Sequence, residues 1–384
     1  MKIVIENIIF LILKIINNLI PKNHNNIVFI SRPDFSDNAK IMYDYVKYRT
    51  TKTIFWICFD KSTNIFLNNN LQIKSYYLFS IQGFSKYLRT KYIFTSSSSL
   101  WQIKAHSQKQ YELWHGMPLK TVLCMGEEHA KPHRYASTVT KRFATSTLTK
   151  AILSACFDFN AMKIEVTGQP RTDALFSKKQ NLKIIYEDIL CFKKIILYMP
   201  TYRQGYLDKN EGRTLDLNIF GLESFNYDSF IQFLEKNNIL FLWKLHPFEE
   251  SFFLNKYTPQ NNFRNLSHRL LINNGLDINE VLGEIDILVT DYSSIYIDFL
   301  LTDKKMIFLP IDLEIYKEKR GFILEPYEYW TPGPKVHSQL GLENEIISSK
   351  DEYSEQRVTI RNLLHQFNDG NSCERIWSSI SDDF

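Results

Sequence analysis

The sequence predicts an α/β protein built from two doubly wound, Rossmann-like parallel domains. Three observations carry that expectation. Short β-branched and aromatic runs alternate with helical patterns along most of the chain, the mark of parallel strands covered on both faces. The alternation breaks once, in the charged stretch Ser177–Lys194, and then resumes. The 384 residues also exceed one ordinary core, since domains run to ~100–200 residues.

The chain opens on an apolar run, residues 3–20, for which three readings compete. A membrane-spanning helix needs ~20 mostly apolar residues, and here Glu6, Asn7, Lys14, Asn17 and Asn18 interrupt. A signal peptide needs a small-residue cleavage site, absent before Pro21. An amphipathic helix is the third reading. At ~100° per residue the five polar side chains share roughly one third of the wheel, with Ile3 and Phe10 intruding. Such a helix lies on a membrane surface or on its own domain, and Pro21 stops it.

The first series of strands is expected at Ile27–Ser31, Thr53–Cys58, Ile73–Leu78, Tyr92–Thr95, Tyr111–Trp114, Arg142–Thr145 and Lys163–Thr167. Helical patterns lie at Asn38–Tyr48, Gln82–Arg89 and Leu148–Phe157. The second series runs Ile195–Met199, Ile239–Lys244, Leu270–Ile272, Ile285–Thr290 and Met306–Leu309. Its helices fall near Tyr227–Lys236, Asn279–Gly283, Ser294–Leu301 and Glu355–Phe367. The expected organisation is a helix at 1–21, a first domain at 22–185 and a second at 186–384. Ligands of such sheets bind beyond the carboxyl ends of the strands, so a cleft between two of them is the expected site.

Composition removes several functions. Lys and Arg number 46 against 42 Asp and Glu, a formal charge of +4, which lacks the basic stripe of a nucleic-acid binder. No two glycines stand two apart and no G-K-[ST] occurs, so the dinucleotide fingerprint and the P-loop are excluded. Five scattered cysteines without C-x-x-C fit a reducing cytoplasm better than a disulfide framework or zinc ribbon. His129 and His133 have helical metal spacing, but Pro132 opposes a helix there. No metal site is expected.

Five strand-end groups carry the chemistry. In Trp114-His115-Gly116 a histidine leaves a strand into a Gly/Pro turn, placed either to take a proton near neutral pH or to tie the loop down. Arg171 and Asp173 follow a strand and turn; the arginine clamps a phosphate or pairs with Asp173 to brace the interdomain hinge. Arg203, just past the strand ending at Met199, suits a diphosphate or makes a surface ion pair. Lys244 and His246 share one face by the period of two and fit one anion; a snorkelling lysine and a structural histidine are the bland alternatives. Asp291 ends a hydrophobic strand, and Ser293 and Ser294 open a helix, as caps alone or as a phosphate seat. Asp312 and Lys335 are expected to edge a nucleotide pocket. With no Asp-x-Asp nearby, protein cations and a helix end would neutralise a diphosphate donor.

The runs WHGMPLK (Trp114–Lys120), GQPRTD (Gly168–Asp173), YMPTYR (Tyr198–Arg203), LHP (Leu245–Pro247) and TDYSS (Thr290–Ser294) resemble, in order, the CDP-glycerol glycerophosphotransferase family of teichoic-acid synthesis. DLEIY (Asp312–Tyr316), RGF (Arg320–Phe322) and PGP (Pro332–Pro334) extend the resemblance, which runs from about Ile27 to about Gly370. Family members often carry Thr in place of Met117 and Trp in place of Tyr202.

The resemblance implies a GT-B architecture with an acceptor-side first domain, a donor-side second domain, and peripheral attachment to the cytoplasmic face of the membrane. It implies transfer of glycerol phosphate from CDP-glycerol to a hydroxyl of a lipid-linked acceptor, releasing CMP, with no resident cofactor. His115 would be the base and His246 a contact to the donor phosphates. Arg203, Ser293 and Ser294 map to donor-binding positions. The same architecture would serve CDP-ribitol or a nucleotide sugar in capsule synthesis, or a non-catalytic nucleotide or lipid-carrier binder.

Overall fold

A computed structural model describes residues 2–126, 138–202, 218–258 and 260–384. The chain divides into two compact units, one of residues 1–115, 131–176 and 366–384, the other of 116–130 and 177–365. It therefore crosses between units more often than the continuous boundaries at 21/22 and 185/186 allow. The last stretch returns because Asp173 accepts the Ser372 and Cys373 N–H groups at the start of the helix Ser372–Ser379. The Phe384 ring also lies against Tyr92 and Tyr111.

The first unit holds β1 (Asn23–Ile30), β2 (Thr53–Cys58), β3 (Ser75–Tyr77), β4 (Thr90–Thr95), β5 (Lys109–Glu112), β6 (Lys141–Ala144) and β7 (Ile164–Val166). They form one parallel sheet in the order β3-β2-β1-β4-β5-β6-β7. Alternate residues of β1 serve opposite faces: Ile27 and Phe29 enter the cluster with Trp56 and Phe94, Val28 and Ile30 that with Phe55 and Ile93. Burial on both faces is why these strands read as continuous apolar runs.

The second unit holds β8 (Lys194–Tyr198), β9 (Ile239–Trp243), β10 (Phe263–Asn265), β11 (Ile287–Thr290) and β12 (Lys305–Phe308). The order is β10-β9-β8-β11-β12, again parallel. Chain order reverses between β1 and β4 in one sheet and between β8 and β11 in the other. Those are the crevices where doubly wound sheets take ligands.

One expected strand is a helix. Leu270–Ile272 lies within His268–Asn273, because the Ser267 hydroxyl accepts the Leu270 N–H at 3.0 Å and starts a helical turn. The strand of that region is β10, three residues that are too short and polar to announce themselves.

The N-terminal run is a helix, Lys2–Leu19. Among the described residues no helix is long and apolar enough to cross a membrane, which removes the spanning reading. The helix lies on its own sheet through Phe10, Leu13 and Ile20 and, unexpectedly, through polar Asn17. That buried amide donates to the Ile103 carbonyl at 2.7 Å and to the Gln108 Oε1 at 2.9 Å. Neighbouring Asn18 accepts the His106 N–H. The outward side is therefore the apolar one. Ile8, Ile9, Leu11, Ile12, Ile15, Ile16 and Leu19 are 43–79 % exposed and span roughly 160° of the wheel.

Candidate functional site

In the first unit the site grows from the end of β5. The strand stops at Glu112, two residues earlier than expected, because Trp114 adopts a left-handed backbone with φ of 59°. A non-glycine residue there costs on the order of 1–3 kcal/mol and persists only where its surroundings impose it. They do so here. The fully buried Glu112 carboxylate accepts the Trp114 N–H at 3.2 Å and the Ser98 hydroxyl at 2.6 Å. Asn38 donates its amide to the Trp114 carbonyl at 2.8 Å, and Arg171 Nη1 donates to the His115 carbonyl at 2.8 Å. Gly116, at φ 123°, then lets the chain turn away.

The product of this bracing is one exposed imidazole. The His115 ring stacks on the Trp114 indole, centroids 3.8 Å apart, and Trp114 meets Phe157 edge-on. His115 Nδ1 lies 3.3 Å from the Ser96 carbonyl. A carbonyl only accepts, so the neutral ring carries its proton on Nδ1 and Nε2 is the basic nitrogen. Ser96 follows β4 directly, and its hydroxyl accepts the Ala39 N–H. His115 thus stands at the crevice between β1 and β4. Burial pushes the Glu112 carboxyl upward, and the Arg142 guanidinium opposes that.

The bracing reading of Arg171 has a different partner from the one expected. Arg171 pairs with Asp37 at 3.1 Å, while Asp173 is spent on the Ser372 and Cys373 N–H groups. Three residues escaped the sequence reading: Asn38, Ser96 and Glu112. Asn38 follows a predicted strand within a few residues, and Glu112 was hidden inside an expected strand.

In the second unit Asp291 ties two strand ends together. Its buried Oδ1 accepts the Thr201 N–H at 2.7 Å and the Tyr292 N–H, and its carbonyl accepts the Tyr327 hydroxyl. It therefore bridges the loops that follow β8 and β11, across the crevice between those strands. Ser293 and Ser294 are half-buried. Ser294 occupies the cap position of the short helix Ile295–Phe299 without a capping side-chain bond, so capping does not account for its hydroxyl.

Lys244 and His246 lie beyond the end of β9 at Trp243, so the period of two no longer governs them. Burial pulls the Lys244 ammonium down, with Glu250 and Asp277 opposing. The exposed His246 stacks on Tyr202, centroids 4.0 Å apart, and its carbonyl accepts the Glu249 and Glu250 N–H groups that begin the helix Pro247–Lys256. Partial burial, then the Lys244 charge, hold the imidazole below its ordinary 6.5. It is neutral at pH 7 and carries one N–H.

The other candidates are supports. Asp312 accepts the Tyr292 hydroxyl at 3.0 Å and fixes the stack of Tyr292 on Tyr316. The Lys335 amine donates to the Thr331 and Gly333 carbonyls beside the Phe308 ring, and burial lowers it to about 8. Arg203, His129 and His133 lie outside the described residues.

Two parallel doubly wound sheets, each with polar side chains fixed at its switch-point crevice, define the α/β class to which nucleotide-dependent enzymes commonly belong. The chain itself belongs to the CDP-Glycerol:Poly(glycerophosphate) glycerophosphotransferase family, which it matches over residues 12–382. It is 25 % identical over 397 aligned positions to a teichoic acid glycerol-phosphate transferase of Staphylococcus aureus, covering 98 % of this chain and 97 % of that protein. It is 26 % identical over 280 positions to the teichoic acid ribitol-phosphate polymerase TarL of the same organism, covering 70 % of this chain. The chain spans about half the length, 47 %, of that polymerase. The fold matches the wall teichoic acid polymerase TagF with a TM-score of 0.76 at 20 % identity, covering 94 % of this chain and 90 % of TagF.

Proposed function

We propose that the protein transfers glycerol phosphate from CDP-glycerol to a hydroxyl of a membrane-anchored, lipid-linked acceptor, releasing CMP, in synthesis of a teichoic-acid-like or capsular polymer. The observation that carries the reading is the imposed left-handed turn at Trp114, which presents His115 with Nδ1 occupied. In this reading Nε2 of His115 takes the proton of the attacking hydroxyl. The hydroxyl oxygen bonds to the glycerol-bearing phosphorus, the bond from that phosphorus to the CMP oxygen breaks, and CMP leaves with the electron pair. The neutral His246 donates to the donor's phosphates, helped by Lys244, Arg203 and the Ser293/Ser294 turn. Asp291 holds that turn. The first unit would serve the acceptor and the second the donor.

Relatedness to a glycerol-phosphate transferase over nearly the full length of both chains supports the donor. Similarity to TarL supports a second reading, the same transfer with CDP-ribitol. The apolar face of Lys2–Leu19 supports peripheral attachment at the cytoplasmic face of the membrane. The test is CMP release with a lipid-linked acceptor, comparing CDP-glycerol, CDP-ribitol and UDP-sugars. Release from CDP-glycerol alone is expected, and His115→Ala is expected to lower it by ~10²–10⁴-fold with donor binding retained. Wild-type turnover by that variant would refute the base assignment.

A further inference from the structure

The N-terminal helix presents its apolar side outward, and one edge of that stripe is positively charged. Lys14 lies on the wheel between the domain-facing Asn17 and the outward Leu11. The packing of the helix on the segment after Trp101 brings Lys14 towards Lys104, because Asn17 is bonded to Ile103 and Asn18 to His106. Lys104 is 5 % exposed, and among the described residues its amine reaches only the neighbouring Ala105 carbonyl, at 3.2 Å. Gln108, which Asn17 also holds, donates to the Thr90 carbonyl beside Lys91; burial first, then the Lys14 and Lys91 charges, bring the Lys104 ammonium down to about 8. Among the described residues no carboxylate makes an ion pair with any of these three lysines. A buried ammonium without a counter-charge is costly, and one that also feels two further lysine charges beside the N-terminal helix calls for an anion. Past the end of the helix a cavity of about 520 Å³ continues the positive rim, lined by Lys22, Lys86 and Arg89 and by no acidic residue.

We propose that Lys14, Lys91 and Lys104 form a seat for the phosphate of an anionic phospholipid in the bilayer that receives the apolar face of the Lys2–Leu19 helix. The inference rests on the membrane-surface reading above and adds a lipid class to it. The helix spends its polar residues on its own domain and leaves its isoleucines for the acyl region. The lysines then lie at headgroup depth, where each contributes about five-fold to binding of an anionic surface. The ligand comes from the bilayer and not from solution, because the lysine edge borders the stripe along the helix.

The experiment is co-sedimentation of the full chain with vesicles of phosphatidylcholine alone and of phosphatidylcholine with phosphatidylglycerol. Wild type is expected to prefer the anionic vesicles. Lys14→Gln combined with Lys91→Gln, both at half-exposed positions, is expected to lose about 25-fold on anionic vesicles and nothing on neutral ones. Lys104→Met is expected to lose about five-fold on anionic vesicles only. Ile12→Ser with Ile16→Ser, on the outward face, is expected to weaken binding to both. Equal binding of wild type to the two vesicle types, or wild-type preference in the lysine variants, overturns the proposal. Binding of inorganic phosphate at these lysines without any vesicle preference also overturns it, in favour of a soluble anion. CMP release from a detergent-dispersed acceptor separates the two readings: release without lipid preference defeats this proposal alone, and lipid preference without release from any donor defeats the transferase reading alone.

Discussion

Replacing Lys104 by methionine should stabilise the protein, against the usual sign of a buried substitution. The lysine is 5 % exposed and its ammonium titrates at about 8 in place of 10.5, so holding the charged form costs roughly 3 kcal/mol at pH 7. The substitution removes that cost and one hydrogen bond to Ala105, worth about 1 kcal/mol. Methionine has nearly the length of lysine and fills an irregular space well. The expected net gain is roughly 1–3 kcal/mol at pH 7. The unfolded lysine keeps its proton to 10.5 and the folded one releases it at about 8. Between those values the unfolded chain binds more protons, so wild-type stability rises with pH. The advantage of the variant is therefore full below pH 8 and shrinks above it. Urea midpoints of both proteins at pH 7, 8, 9 and 9.5 measure this. A variant less stable than wild type at pH 7, or a gap that stays constant to pH 9.5, would refute the reasoning.

Two further outcomes are expected from the fold and the site. His246→Ala should weaken CDP-glycerol binding about ten-fold or more in calorimetry, the scale of a lost hydrogen bond to a charged group. Wild-type affinity should also rise as pH falls through the lowered imidazole value, and the variant should lack that rise. Gly83→Ala should destabilise the first unit by about 2 kcal/mol or more, since its methyl group would sit 1.9 Å from the Tyr77 carbonyl oxygen; an unchanged thermal midpoint would mean that the helix Ile81–Arg89 shifts freely off β3.

Much of the fold was legible because parallel strands buried on both faces cannot hide. Thr53–Cys58 reads as a strand in isolation and is β2. The segments that misled are those decided by a neighbour: Leu270–Ile272 is a short apolar run, but Ser267 starts a helix just before it. The wheel found the polar arc of the first helix, yet not that Asn17 would be its buried side, because Ile103 and Gln108 lie 86 and 91 residues away. The strand-end histidines were legible from the turns around them. The partner of Arg171 was not, since Asp37 is 134 residues distant and Asp173 is two residues off. Nor was the left-handed Trp114, an unfavourable local choice that only Glu112 and Asn38 together impose.

The return of the C-terminal helix to the first unit sets an order of assembly during synthesis. About 190 residues separate Phe176 from Gln366, or roughly 10–40 s of translation. Throughout that interval all seven strands of the first sheet exist as polypeptide, but the Asp173 carboxylate awaits Ser372 and Cys373, and Tyr92 and Tyr111 await Phe384. The second unit, whose segments end at His365, is fully translated first. The domain that begins the chain is thus the last to close, and it is the one a nascent-chain chaperone would need to shelter.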